Sequence, residues 1–239
     1  MFHPGILLKA SFLASKEFFR SPAQGRAPRL AAAPSAQTVV VPIRSIGPGH
    51  TQRITAHLLA LGPQDRYLRF GYSANDEQVR RYVAGINFER DEIFGIYNRK
   101  LELIAVAHLA FPTDPELQNC AEFGVSVALH ARGRGYGARL FDRAAMHSRN
   151  EGVQMMFIHA LSENTAMLNI ARKAGATVER DGSETEAYLK LQPADLDSHM
   201  TEMLDERIAQ TDYRLKVQAK KFWDFLALLQ EVRRGARRL

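Results

Sequence analysis

The chain has 239 residues, a net charge of +6 at neutral pH and a pI of about 9.6, with 46% hydrophobic and 24% charged residues. That leaves room for one globular domain of about 150 residues plus extensions, and it excludes a wholly disordered chain. No apolar run approaches the roughly 18 residues that cross a bilayer, so no membrane partner is expected.

Residues 1–37 are rich in Ala, Pro, Ser and Arg, with Glu17 the only acid, which is the composition of a disordered arm. A targeting presequence is the other reading of this arm, since Ile6 to Phe19 suits a short basic amphipathic helix. Lys9 and Lys16 interrupt the apolar run that a signal peptide needs. The folded module is expected over 38–192. Thr38 to Arg44 reads as a first strand of β-branched residues. Gly47-Pro48-Gly49 breaks it, and His50 to Leu61 has helical spacing at Ile54, Leu58 and Leu61. Pro63 to Arg66 reads as a short turn into Tyr67-Leu68-Arg69-Phe70. Asn75-Asp76-Glu77 offers an N-cap and an acidic first turn for a helix through Ala84. Two strands follow, 92–97 and 101–111, joined at Asn98-Arg99-Lys100, and then a central strand over 121–129. The remaining order is helix 137–150, strand 153–160, helix 164–174, strand 176–180 and strand 185–191. These elements predict a mixed α/β (α+β) domain, a mostly antiparallel sheet flanked by helices.

The chemistry centres on the turn Arg132-Gly133-Arg134-Gly135-Tyr136-Gly137-Ala138, which leaves the central strand and opens a helix. Glycines here permit positive φ and close approach of a ligand to the main chain. Unpaired N–H groups at the helix N-terminus favour negative charge, and Arg132 and Arg134 add to it, so a diphosphate is the expected guest. A P-loop is excluded because no Gly-Lys-Ser/Thr comes after the turn. The dinucleotide fingerprint is met nominally by Gly133, Gly135 and Ala138, but the strand-rich region upstream does not read as a βαβ unit.

Arg132, Gly135 and Gly137 meet the Arg/Gln-x-x-Gly-x-Gly/Ala signature, and Asn164 opens a helix ending Arg172-Lys173-Ala174-Gly175 at the usual separation. On these two motifs the chain resembles the Gcn5-related N-acetyltransferase (GNAT) family. Arg66-Tyr67-Leu68-Arg69-Phe70, Ala121-Glu122-Phe123-Gly124-Val125-Ser126-Val127 and Glu163 to Leu168 extend the likeness to the catalytic module of bacterial Pat-type protein lysine acetyltransferases, which modify acyl-CoA synthetases. The likeness spans about 38–192.

The resemblance implies acetyl-CoA as co-substrate and an amine acceptor, a protein lysine or a small amine such as a polyamine or amino sugar. It implies that the 132–138 loop holds the diphosphate, that N–H groups around Val125 and Val127 hold the thioester oxygen and pantetheine arm, and that Asn164 and Lys173 belong to the cofactor side. Asn164 also suits a plain N-cap. Strand parity sets Phe123, Val125 and Val127 on the apolar face and leaves Glu122 opposite, with Gly124 and Ser126. By resemblance Glu122 is the general base; by residue type alone it is a solvated strand glutamate. Where the family has a tyrosine as acid, this chain has Ala171, which leaves Ser162, water or another side chain as donor, or coenzyme A departing as thiolate, and keeps a non-catalytic acyl-CoA-binding module as a rival reading. Asp181, Glu184 and Glu186 are the acids that a small-amine acceptor would call on.

The lone cysteine, Cys120, excludes an internal disulfide and fits a reducing, cytoplasmic setting. The eight histidines show no His-Glu-x-x-His spacing, so no metal is expected. Basic residues gather in the N-terminal arm, at 132–149 and at 233–238, no aromatic-interleaved basic stripe appears, and the phosphates of coenzyme A account for the middle cluster, so no nucleic acid is expected. From Ala194 to Arg234 there is neither Gly nor Pro. Leu196, Met200, Leu204, Ile208, Leu215, Phe222 and Leu226 recur at helical spacing, so 193–239 reads as an amphipathic helical tail about 60 Å long. A stripe of that length predicts a homodimer through the tail or a lid.

Overall fold

The computed structural model describes residues 41–181 and 184–236, all of whose elements lie in the unit Pro42–Leu239. In chain order they are β1 (Arg44–Ser45), α1 (Thr51–Leu59), α2 (Pro63–Phe70), α3 (Asp76–Ala84), β2 (Glu92–Tyr97), β3 (Leu103–Ala110), β4 (Cys120–Val127), α4 (Tyr136–Asn150), β5 (Met155–Leu161), α5 (Thr165–Lys173), β6 (Thr177–Asp181), β7 (Glu184–Lys190) and α6 (Leu196–Ala236). The strands form one 7-stranded sheet in the order β1-β2-β3-β4-β5-β7-β6. Only β4 and β5 run parallel, as the α4 crossover between them requires.

The two faces of the sheet have separate cores. On one, α1 and α3 cover β2 and β3 with Ile54, Leu58, Val79 and Val83 against Ile93 and Val106. On the other, α4 brings Leu140 and Phe141 onto β4, where Phe123 meets Phe141 edge to face at 5.1 Å. Full burial of such side chains stabilises by about 1.5–3 kcal/mol each.

Two local readings are corrected. Pro63 to Phe70 is a helix, not a turn into an extended segment: Pro63 occupies its first turn, Asp65 complements the N-terminal dipole, and Gly71 ends it at φ +77°. The central strand stops at Val127, after which Leu129–Ala131 form a 3-10 turn. Of the first expected strand, 38–40 lies outside the described residues, and the remainder pairs only at Arg44–Ser45. The α3 N-terminus matches its sequence closely, because Asn75 and Gln78 close a reciprocal capping box.

The last helix, α6, docks by polar contacts. Glu202 accepts from His147 at 2.7 Å and also from Asn150, Glu206 accepts from the Ser45 N–H at 3.1 Å, and Lys216 donates to the Tyr97 carbonyl at 3.0 Å. Tyr213 stacks beneath the Arg44 guanidinium at 4.2 Å. Burial lowers the His147 pKa, but the Glu202 carboxylate outweighs it and the net shift is upward. Burial likewise raises Glu202, and the His147 and Asn150 hydrogen bonds bring it below its usual value.

Candidate active site

The site forms where the sheet opens. Pairing of β4 with β5 is confined to Cys120, Ala121 and Glu122 opposite Met155, Met156 and Phe157. Beyond Glu122 the two strands part, so the β5-facing edge of 123–127 leaves the ladder while its other edge stays paired with β3. Val125 and Val127 lie on that edge, half-buried, opposite Ala107 and Ala105 of β3. An exposed strand edge with N–H groups to offer suits an extended polar chain.

At the end of β4 the 132–138 turn is shaped by its glycines. Gly133 and Gly135 both sit at φ +74°, a region costly for other L residues, and Gly135 is the N-cap of α4. Gly137, expected at positive φ, serves another purpose. It lies in the first turn of α4, where an added Cβ would stand 3.1 Å from Ile170 of α5, so its missing side chain lets the two helices close up. The first N–H groups of α4 therefore open onto the turn without side-chain caps.

Arg132 is not a free positive charge. Its guanidinium pairs with Asp65 at 2.6 Å and donates to the Val127 carbonyl at 3.2 Å, which ties the loop to α2. Arg134 is exposed on the same turn, and Tyr136 and Ala138 in the first turn of α4 are half-buried. Asn164 is the N-cap of α5, accepting from Met167 N at 3.2 Å, and its amide also donates to the Leu68 carbonyl of α2 at 3.3 Å. Lys173, in the last turn of α5, is exposed. A turn of this shape, an uncapped helix N-terminus and an open strand edge together fit a diphosphate followed by an extended arm.

The opposite wall is built from side chains that the sequence did not single out. Gly124 carries the Arg69 guanidinium directly over it, so close that an added Cβ would be 2.7 Å from three of its atoms. Arg69 donates to the Tyr82 hydroxyl at 2.8 Å, and that hydroxyl meets His108 Nδ1 at 2.6 Å. His108 Nε2 in turn meets Asp91 at 3.2 Å. Burial works to raise the Asp91 carboxyl, but the hydrogen bonds from His108 and Arg90 outweigh it and hold it at about 2. An ionised Asp91 accepts from Nε2–H of the imidazole, and Nδ1 is the ring atom that meets the Tyr82 hydroxyl. Burial raises the Tyr82 pKa, and the nearby charge of Glu122 adds to the rise.

Glu122 is half-buried on the same face, two residues before Gly124, and is the last β4 residue paired with β5. Parity holds for Phe123 and Glu122, but Ser126 on the Glu122 side is buried. Its hydroxyl meets His57 Nε2 at 2.9 Å, and His57 Nδ1 meets the Leu103 carbonyl at 2.9 Å. The carbonyl accepts only, so Nδ1 carries the proton and Ser126 donates to Nε2. Burial lowers the His57 pKa and keeps the ring neutral. One cue to this wall was readable: His108 interrupts an otherwise apolar strand.

Ala171 is fully buried and Ser162 is hydrogen-bonded to Thr185 at 2.8 Å. Glu186 stands in register with His159 and Glu179 on the Glu122 face, paired with His159 at 3.6 Å. The side chains of Asp181 and Glu184 lie outside the described residues. Cys120 is buried, which raises its thiol pKa.

Residues 63–176 match the acetyltransferase (GNAT) family. Over these residues the chain is similar to GNAT acetyltransferase domains. No curated protein sequence matches the chain. Among solved structures, the GNAT domain of S. lividans PAT is similar at 19% identity and a TM-score of 0.54, over 62% of this chain and 89% of that one. The ribosomal-protein-alanine N-acetyltransferase of Brucella melitensis is similar at 16% identity and a TM-score of 0.51, over 62% and 99%. Salmonella typhimurium yncA, solved with its cofactor acetyl-CoA, is similar at 15% identity and a TM-score of 0.50, over 64% and 95%. The sheet has the GNAT fold, and the domain is that of an acyltransferase with acetyl-CoA as co-substrate. Among the described residues no helix is long and apolar enough to cross a membrane.

Proposed function

We propose that the chain transfers an acetyl group from acetyl-CoA to a lysine side chain of a protein in the cytoplasm, with Glu122 as general base. The observation that carries this reading is the position of Glu122. It is the last residue at which β4 and β5 are paired, it faces the wall of α2 and α3, and the opened strand edge begins one residue later.

Acetyl-CoA supplies the acetyl group as a thioester. The 132–138 turn and the N-terminus of α4 receive the diphosphate, with Gly133 and Gly135 shaping the turn, Tyr136, Gly137 and Ala138 opening the helix, and Arg134 the adjacent exposed cation. N–H groups at Val125 and Val127 receive the arm and the negative charge that develops on the carbonyl oxygen. Asn164 joins α5 to α2 beside the arm, and Lys173 contributes positive charge at the far end of α5. A lysine with a pKa of about 10.4 arrives as ammonium, so a proton must leave before attack. Glu122 accepts that proton. Ala171 offers no hydroxyl to the departing sulfur, and a thiol with an ordinary pKa of about 8.5 is a tolerable leaving group as thiolate.

A small amine is the second reading, favoured by Glu186 and Glu179 on the same face as Glu122. A second copy of the chain is the partner we assign to α6.

Incubation with acetyl-CoA and a panel of acyl-CoA synthetases, polyamines and amino sugars, read by mass spectrometry, separates these readings. Acetyl-lysine at one site of one protein is the expected product. An acetylated small amine with no protein product would replace the lysine reading.

A further inference from the structure

The docked face of α6 is mostly polar, with buried Ala209 and half-buried Tyr213 its contacts to the core, and its outward face is mostly apolar, the reverse of a helix that simply caps a domain. Ser198, Glu202, Glu206, Ala209, Tyr213 and Lys216 turn toward the domain. On the opposite side Leu204, Ile208, Leu215, Phe222 and Phe225 are 41–60% exposed. From Gln218 to Phe225 every residue is exposed, so this part of the helix projects beyond the domain.

The outward stripe runs Leu204, Ile208, Thr211, Leu215, Gln218, Phe222, Phe225. Its steps alternate between four and three residues, the heptad seam of a coiled coil. One flank of the seam carries Asp205, Asp212 and Ala219, and the other carries Arg207, Arg214 and Lys221. In a parallel pair, each flank faces the other flank of the partner helix, so acid meets base. In an antiparallel pair, like flanks face each other, which sets Asp against Asp and Arg against Arg.

Resting on the assignment of a second copy to α6, we infer that two chains pair through this seam as a parallel, in-register coiled coil. Arg207 of each chain then faces Asp212 of the other. The acetyltransferase domains, attached to the opposite side of each helix, stand on the outside of the coil and leave both sites open.

Light scattering on the full chain and oxidation of a Thr211→Cys variant test this together, with buried Cys120 retained and the unsubstituted chain as control. The expected result is twice the 26.9 kDa chain mass and a 211–211 disulfide between chains. Leu215→Glu should reduce the mass to one chain that still unfolds cooperatively, with a melting temperature that no longer rises with protein concentration. A mixture of Leu204→Cys and Phe225→Cys chains should form 204–204 and 225–225 disulfides and no 204–225 disulfide, since these sites lie about 30 Å apart along a helix. A dimer that crosslinks 204 to 225 would overturn the parallel register and keep the pairing. A single-chain mass would overturn pairing altogether while leaving acetyl transfer untouched. If that monomer also shifted the emission of Trp223, the one tryptophan, to the blue on anionic vesicles, the seam would belong to a membrane surface.

Discussion

The two sides of β4 are built by different means. Toward β5 and the 132–138 turn the surface is shaped by the main chain: an opened strand edge, glycines at φ +74° and an uncapped helix N-terminus. Toward α2 and α3 it rests on buried side chains, the run Arg69, Tyr82, His108 and Asp91 and the pair His57 and Ser126. A main-chain site binds a constant ligand with little dependence on side chains. A side-chain wall is adjustable by substitution.

The sharpest way to break that contrast is Gly124→Ala. The new Cβ displaces the Arg69 guanidinium, and misplacement on the order of 1 Å beside the reacting groups costs up to about a hundredfold in kcat. Acetyl-CoA affinity, measured by calorimetry, should stay unchanged. Gly135→Val reverses the pattern. A β-branched residue at φ +74° costs at least about 1–2 kcal/mol, and acetyl-CoA affinity should fall about tenfold.

Asp91→Asn comes next. It strips the carboxylate that orients His108 and should lower stability by about 1–3 kcal/mol in denaturant titration. The native Asp91, with its pKa lowered to about 2 from an ordinary 3.8, contributes stability above pH 3.8 that is lost as pH falls through about 2. The smallest effect belongs to the α6 dock. His147 is raised, so its contribution is complete below its ordinary 6.5 and is lost as pH rises through the raised value. Glu202 is lowered, so its share is complete above its ordinary 4.5 and is lost as pH falls through the lowered value. The share of stability that this dock supplies should therefore be greatest between pH 4.5 and 6.5 and decline above, so the difference in melting temperature between the native chain and Glu202→Gln should shrink as pH rises past 6.5.

The contrast also explains which parts of the molecule are legible in the amino-acid sequence. The 132–138 turn is local, a run of consecutive residues whose glycines and adjoining helix define a shape, so its sequence is nearly its structure. Asn75 and Gln78 are legible for the same reason, since a cap closes within one turn. Asp91, His108, Tyr82 and Arg69 meet only through the β3–β4 register and the packing of α2 and α3 on it, and none of these can be had from local spacing. Gly137 shows the limit within the motif itself. Its glycine answers to Ile170, more than thirty residues away, rather than to its own backbone angles. Pro63 to Arg66 reads as a turn because Pro, Gln and Asp begin a turn and a helix equally well, and the conformation of Tyr67 to Phe70 separates the two.

The most direct test of Glu122 as base is CoA thiol release from acetyl-CoA by the full chain and by Glu122→Gln, with acetyl-CoA affinity measured in parallel. The account predicts acceptor-dependent release by the native chain, reduced by about 10²–10⁴-fold in the variant at unchanged affinity. Equal release by both would remove Glu122 from the chemistry. Tight acetyl-CoA binding by the native chain with no release across the acceptor panel would make the domain an acyl-CoA-binding module.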